Sequence, residues 1–278
     1  MHLARIVVGV DLTNASTRAA AWAARAFAPE AQVVLLHCLS PVLSEHRAAD
    51  ERQLAERCLV DLQRQIGAAR CSFRIRRGDA ARCLAELAAE LDADLIAVGA
   101  HEEHADRLPA LGSTAERLIR CAAAPVLLCS DKLSGAPHSI LLPLDSGDVT
   151  TSLADWTADL AERFEARLAL VHVEAPRTAR LTSAAAERRL ASSTTPWTRV
   201  AHDVPPERVM VDAMFGEPAD VVLSEARRFG TELVLLESPA YAATAEEVPA
   251  AVDRVLRRSE CAVLVVPPLE YPPPSAAR

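Results

Sequence analysis

Aromatic residues are scarce in this chain of 278 residues: three Trp, two Tyr and five Phe make up 4% of it. A core without large rings must be built from aliphatic side chains and alanine, and half of all residues are hydrophobic. That composition suits helices lying close against a sheet. An excess of basic charge is also lacking, since the formal net charge is −8. This argues against nucleic acid as a main partner, because phosphate binding is driven by clustered Lys and Arg. A small local anion site stays open. No apolar run reaches the roughly 18 residues that a membrane span needs. Met1–Arg5 leads straight into an apolar strand with no signal-peptide pattern. The expectation is a cytoplasmic protein with no membrane partner. Cysteines number seven, an odd count, and no Cys-x-x-Cys pair occurs. Several sit in apolar segments, where a free thiol behaves as a small hydrophobe, so reduced structural thiols are expected. No Ser-His-Asp or Cys-His arrangement and no paired carboxylates can be assembled for catalysis. A binding role rather than an enzyme is expected.

The length points to about two domains. Arg5–Val10 is a short β-branched run, read as a buried parallel strand that Asp11 ends. A helical stretch begins near Ser16 and stops before Pro29. Gln32–His37 reads as a second strand and Cys71–Arg76 as a third, with a long charged helix over Glu45–Ile66 between them. Ala80–Leu91 is helical in period, Asp94–Gly99 is a fourth strand, Ser113–Cys121 a short helix and Pro125–Cys129 a fifth strand. Strands alternating with helices imply a parallel sheet with right-handed crossovers.

After Ser130–His138, which has linker composition, the pattern restarts. Ile140–Asp145 echoes Ile6–Asp11, and Leu170–His172 echoes Leu35–His37. The segment opened by Gly216 echoes the one opened by Gly78, Glu232–Glu237 echoes Asp94–Gly99, and the stretch ending in Val263–Val266 echoes the one ending in Val126–Cys129. Five echoes in one order are an internal repeat. The expected architecture is α/β, with two tandem doubly wound domains, each a five-stranded mainly parallel sheet with helices on both faces. The expected domains are 1–132 and 133–268, with a proline-rich disordered tail over 269–278. The second copy is weaker in its middle, where Glu174–Arg208 holds Pro196 and the pair Pro205-Pro206.

The first copy ends its first strand in Asp11 and its second in His37-Cys38, and after the fourth strand it carries Gly99, then Glu102, then Gly112-Ser113 ten residues on. In these features the chain resembles the universal stress protein family over nearly its whole length. The family's motif there is Gly, two residues, Gly, nine residues, Gly, then Ser or Thr. The resemblance implies an adenine-nucleotide site, with ATP and its magnesium as cofactors. Gly9, Asp11 and Cys38 would line the adenosine part, and Gly99, Gly112, Ser113 and Thr114 would hold ribose and phosphates. General physics agrees on the place. Open parallel sheets bind ligands outside the carboxyl ends of their strands, and a helix start directs backbone N–H groups at phosphate. The blander reading is that Asp11 caps the following loop and that the glycines only permit turns. His37 and His172 are read as structural histidines at strand ends.

Glu102 departs from the motif by setting a carboxylate where phosphate should sit. His101, His104 and Arg107 supply positive charge nearby. The run His101–His104 does not have the i, i+4 spacing of the helical zinc motif, and a solvated loop is expected. The second copy keeps Pro143, Asp145 and Val173 at the presumed adenosine positions but has Glu237 at the place of Gly99 and Pro249-Ala250 at the place of Gly112-Ser113. It is not expected to bind ATP as the family does. The leading expectation is a cytoplasmic universal stress protein that binds and regulates, with an adenine-nucleotide site in the first domain. The alternative is a nucleotide-free interaction module with both sites vestigial; a slow ATP hydrolase is a third reading with no base to support it. By resemblance, the two domains would pair as an intramolecular pseudo-dimer, and two chains as a homodimer.

Overall fold

The structure is a computed structural model that describes residues 3–27, 29–67, 69–100, 111–130, 135–144, 150–174, 200, 204–238 and 249–267. The chain divides into two compact units, His2–Gly135 and Ala136–Tyr271. In the first, β1 (Arg5–Gly9) is followed by α1 (Asn14–Trp22), which runs on as a π-helical turn over Ala23–Phe27. Then come β2 (Gln32–Leu39), α2 (Glu45–Ile66), β3 (Cys71–Arg77), α3 (Ala80–Glu90), β4 (Leu95–Gly99), α4 (Ser113–Cys121) and β5 (Val126–Cys129). Every strand pair is parallel, in the order β3-β2-β1-β4-β5. Ile6, Val7 and Leu35 are buried completely, as strands covered on both faces require. Right-handed crossovers that run outward on either side of β1 place α1 and α2 on one face and α3 and α4 on the other. The packing follows that division, with α1 against α2 and α3 against α4.

The second unit repeats the plan. Its elements are β6 (Ser139–Leu144), α5 (Thr151–Arg163), β7 (Arg167–Glu174), β8 (Val209–Phe215), α6 (Pro218–Phe229), β9 (Leu233–Glu237), α7 (Ala250–Arg258) and β10 (Ala262–Val266). The strand order is β8-β7-β6-β9-β10, again parallel throughout. The repetition reaches single hydrogen bonds. The Asp94 carboxylate accepts from the backbone N–H of Ala4 at 2.7 Å, and the Glu232 carboxylate accepts from that of His138 at 2.6 Å, so each acid anchors the entry of its unit's first strand. Thr13 caps α1 by accepting from Ser16 N–H, and Thr150 caps α5 by accepting from Leu153 N–H. Gly78 and Gly216 both turn with φ of 150° and 157°, each just before the helix that returns to the sheet. Residues 101–110, 145–149, 175–199, 239–248 and 268–278 lie outside the described residues, and with them Glu102, Asp145, the His101–His104 run, Arg107 and the tail.

Candidate functional site

In each unit the strand order reverses beside the first strand, between β1 and β4 in one and β6 and β9 in the other. At that point the two crossovers diverge and leave a crevice at the carboxyl ends of the strands. Six of the residues singled out in the sequence, Gly9, Asp11, Gly99, Gly112, Ser113 and Thr114, are brought to this end of the first unit. Gly99 is the last residue of β4, opposite Cys129 of β5. The chain continues through Ala100, whose N–H donates to the Cys129 carbonyl at 3.2 Å. It returns at Gly112, whose N–H donates to the Ala100 carbonyl at 3.1 Å. This bond seats the first turn of α4 at the end of β4. Gly112 is the N-cap, Ser113 is exposed and Thr114 is half-buried in that turn. Among the described residues, a Cβ on Gly99 would meet no atom within 4 Å.

Gly9 is different. A Cβ there would stand 3.0 Å from Leu84 Cδ1 of α3 and 3.0 Å from Val98 Cγ1 of β4. Its small size is used in packing α3 onto the sheet. Asp11 has partners within its own loop. Its Oδ1 accepts from Thr13 N–H at 2.9 Å and from Thr13 Oγ1 at 2.6 Å, and its N–H donates to Ser16 Oγ at 3.3 Å. Partial enclosure of the carboxyl acts to raise its pKa, but the hydrogen bonds from Ser16 and Thr13 outweigh this and hold it below the usual carboxylate range. The backbone just before Asp11 is braced by His37, whose Nδ1 donates to the Val10 carbonyl at 2.8 Å. His37 is 4% exposed, a strand-end histidine with a structural partner.

Cys38 stands one strand further out, in β2 opposite Arg76 of β3. Burial and the neighbouring Cys83 push its pKa up to about 12. Burial likewise pushes Cys71 up to about 11 and raises Cys129. Thiols held protonated in this way are poor nucleophiles. All seven cysteines are free. Among the described residues no group of three or more His, Cys, Asp or Glu could hold a metal ion.

Sequence reasoning missed an ion pair that joins the two helices beside this end of the sheet. Arg117 of α4 pairs with Asp79, the N-cap of α3. In the second unit Arg254 of α7 lies 3.6 Å from Glu217, the N-cap of α6, and 3.7 Å from Asp220. The matching Arg and acid could have been found by aligning the two halves on Gly78 and Gly216. At the same end of the second unit, Pro143, Leu144, Val173 and Leu236 border a cavity of about 210 Å³. The α7 start there is capped by Pro249, which has no N–H to offer.

The sequence pattern of the Universal stress protein family matches residues 2–130 and again residues 137–267. The chain belongs to the universal stress protein family. Solved structures agree on the fold. A universal stress protein from Archaeoglobus fulgidus DSM 4304 is similar with a TM-score of 0.73 at 16% identity, over 95% of this chain and 96% of that one. A functionally unknown protein from Pseudomonas aeruginosa PAO1 is similar with a TM-score of 0.66 at 18% identity, over 96% of this chain and 93% of that one. No curated protein matches the chain. As a tandem universal stress protein, this chain differs between its halves at the carboxyl end of the sheet. The first half has Gly99 and the start of α4 at Gly112-Ser113, whereas the second has Glu237 and Pro249-Ala250.

Proposed function

We propose that this universal stress protein acts by binding an adenine nucleotide in its first half, as a regulatory component of a cytoplasmic stress response, without turnover. The observation that carries the reading is the Gly112 N–H bond to the Ala100 carbonyl, which holds the N-terminus of α4 at the open end of β4 beside Gly99. Backbone N–H groups and the positive helix end at that place suit the phosphates of ATP and its magnesium. Gly99, Gly112, Ser113 and Thr114 are proposed to face ribose and phosphates, and Gly9, Asp11 and Cys38 the adenosine side. No helix among the described residues is long and apolar enough to cross a membrane. Pairing of the two halves within one chain, and of two chains as a homodimer, belong to the same proposal and are read by small-angle scattering and sedimentation.

The test is equilibrium dialysis with ATP at fixed magnesium and salt, alongside mass spectrometry of the denatured protein for co-purified ATP, ADP or AMP. At most one ATP per chain is expected. Gly112→Val should abolish it, because a side chain there obstructs the backbone cradle, and Asp145→Ala should leave it intact. Two equivalent sites, or loss only on Asp145→Ala, would overturn the assignment of the first half. A second reading, a nucleotide-free interaction module, is favoured by one observation: the Asp11 carboxylate already accepts two hydrogen bonds from Thr13. Complete absence of bound or co-purified nucleotide would select it.

A further inference from the structure

The cavity in the second unit lies at the carboxyl ends of β6, β7 and β9, between α6 and α7, with Leu153 of α5 also on its wall. We propose that it is a binding site of its own, for a small uncharged apolar molecule and not for a nucleotide. Its volume is about 210 Å³. An apolar cavity of about 150 Å³ stays dry and takes up benzene. By proportion this one suits a molecule of roughly eight non-hydrogen atoms, and its open side leaves room for one or two more.

The lining decides the chemical class. Of its twelve described lining residues eleven are apolar, and Glu237 is the charged one among them. Leu144, Leu153, Val173, Val222, Leu236 and Val255 are each no more than 6% exposed, so the walls are firm core side chains. Glu237 would repel an anion, and desolvating one against aliphatic walls is costly. Pro249 removes an N–H at the start of α7, and two arginines of α7 are engaged along α6. Arg254 pairs with Glu217 and Asp220, and Arg258 lies 3.7 Å from Asp220. These pairs also tie the two helices that form the wall.

One difference from the first unit is legible in the repeat. Gly78 and Gly216 each meet the fifth residue after them, Cys83 and Val221, which sets the register between α3 and α6. Arg117 and Arg254, each paired with the N-cap acid of the helix opposite, set it between α4 and α7. In that register Leu84 corresponds to Val222, and Leu118 to Val255. Leu84 reaches to 3.0 Å from the Cβ position of Gly9, and Leu118 is fully buried. Both are shortened to Val in the second unit, and both of these valines line the cavity. An empty apolar void costs stability, and an apolar guest restores the lost contacts.

The test uses the full chain with naphthalene, which is neutral and has about ten non-hydrogen atoms, and 2-naphthoate as its charged counterpart. Equilibrium dialysis should show one saturable naphthalene site per chain, with naphthoate about tenfold weaker or more. Excess ATP should not displace naphthalene, which separates this site from any nucleotide site in the first half. Restoring the first-half residues with Val222→Leu and Val255→Leu together should weaken uptake while the thermal midpoint holds or rises. If that pair fails to fold, methyl NMR of the parent chain decides, with naphthalene-induced shifts expected at Leu144, Leu153, Val173 and Leu236. No saturable uptake, uptake unchanged in the filled variant, shifts outside these methyls, or one-for-one displacement by ATP would each overturn the proposal.

Discussion

Asp11 accepts two hydrogen bonds from Thr13 inside its own loop, and those bonds hold its pKa below the usual range despite partial enclosure. A carboxylate whose folded pKa is depressed contributes stability that is fully present above its unfolded value and is lost as pH falls through the folded one. Asp11→Asn should therefore be less stable than the parent at pH 7. The gap should close as the pH is lowered below about 4. Urea unfolding at pH 7 and pH 3 measures this, and a gap independent of pH would refute it. Gly216 offers a second test at this scale. Its φ of 157° is unfavourable for L side chains, and an added Cβ would come 2.8 Å from Val221 Cγ2, against 3.1 Å from Cys83 Sγ at Gly78. Gly216→Ala should cost about 1–3 kcal/mol and Gly78→Ala less, because the sulfur stands further off. Urea midpoints at constant slope report both. The reverse order would show that the backbone strain and not the contact sets the cost.

Helix starts and stops were the most legible elements. Glu45–Ile66 is read from sequence to the residue, because Ser44 caps its start and Gly67, with φ 118°, ends it. The central strands were read because burial on both faces leaves a continuous apolar run. β8 was not read as a strand. Its segment Val209–Phe215 exposes Met210, Val211 and Phe215 by about 40% each and pairs only with β7 among the described strands, so neither alternation nor a closed apolar run marks it. The π-helical turn at the end of α1 also escaped, since Ala23–Phe27 continues the same apolar pattern. The two N-caps make a paired prediction. Thr13→Ala and Thr150→Ala should each cost about 1 kcal/mol, with Thr13→Ala the larger because Thr13 also donates to Asp11. Equal losses in urea unfolding would mean that the Asp11 loop adds nothing to the cap.

At the scale of the molecule, the two halves share a scaffold and differ in what their crevices offer. Charge separates them most. On the first side stand Gly99 and the N-terminus of α4; on the second, Glu237 and the proline cap of α7. Glu102 lies outside the described residues, and its weight is a matter for measurement. Two like charges about 4 Å apart cost about 4 kcal/mol at an effective dielectric of 20, and less near water. If the loop approaches phosphate, Glu102→Gly should tighten ATP binding by at least about tenfold. Calorimetry at fixed magnesium and salt reads this, and unchanged binding would place the loop away from the phosphates.

The tandem plan, the strand order implied by alternating elements, the spacing Gly99 to Gly112-Ser113 and its replacement by Glu237 and Pro249-Ala250 in the second copy were determined by sequence alone. They rest on periodicity and on residue types that have few conformational options, such as Gly, Pro and β-branched runs. Other features were decided only by tertiary structure: that Gly9 is small to admit Leu84 and Val98, that Asp11 is held by Thr13, that Cys38 lies beside Cys83, and that the second half has a cavity at the carboxyl ends of its strands. The reason is that most of these depend on distances between side chains remote in sequence. Whether a shortened side chain closes up or leaves a cavity depends on how far a helix can settle onto its sheet, and no local pattern records that distance.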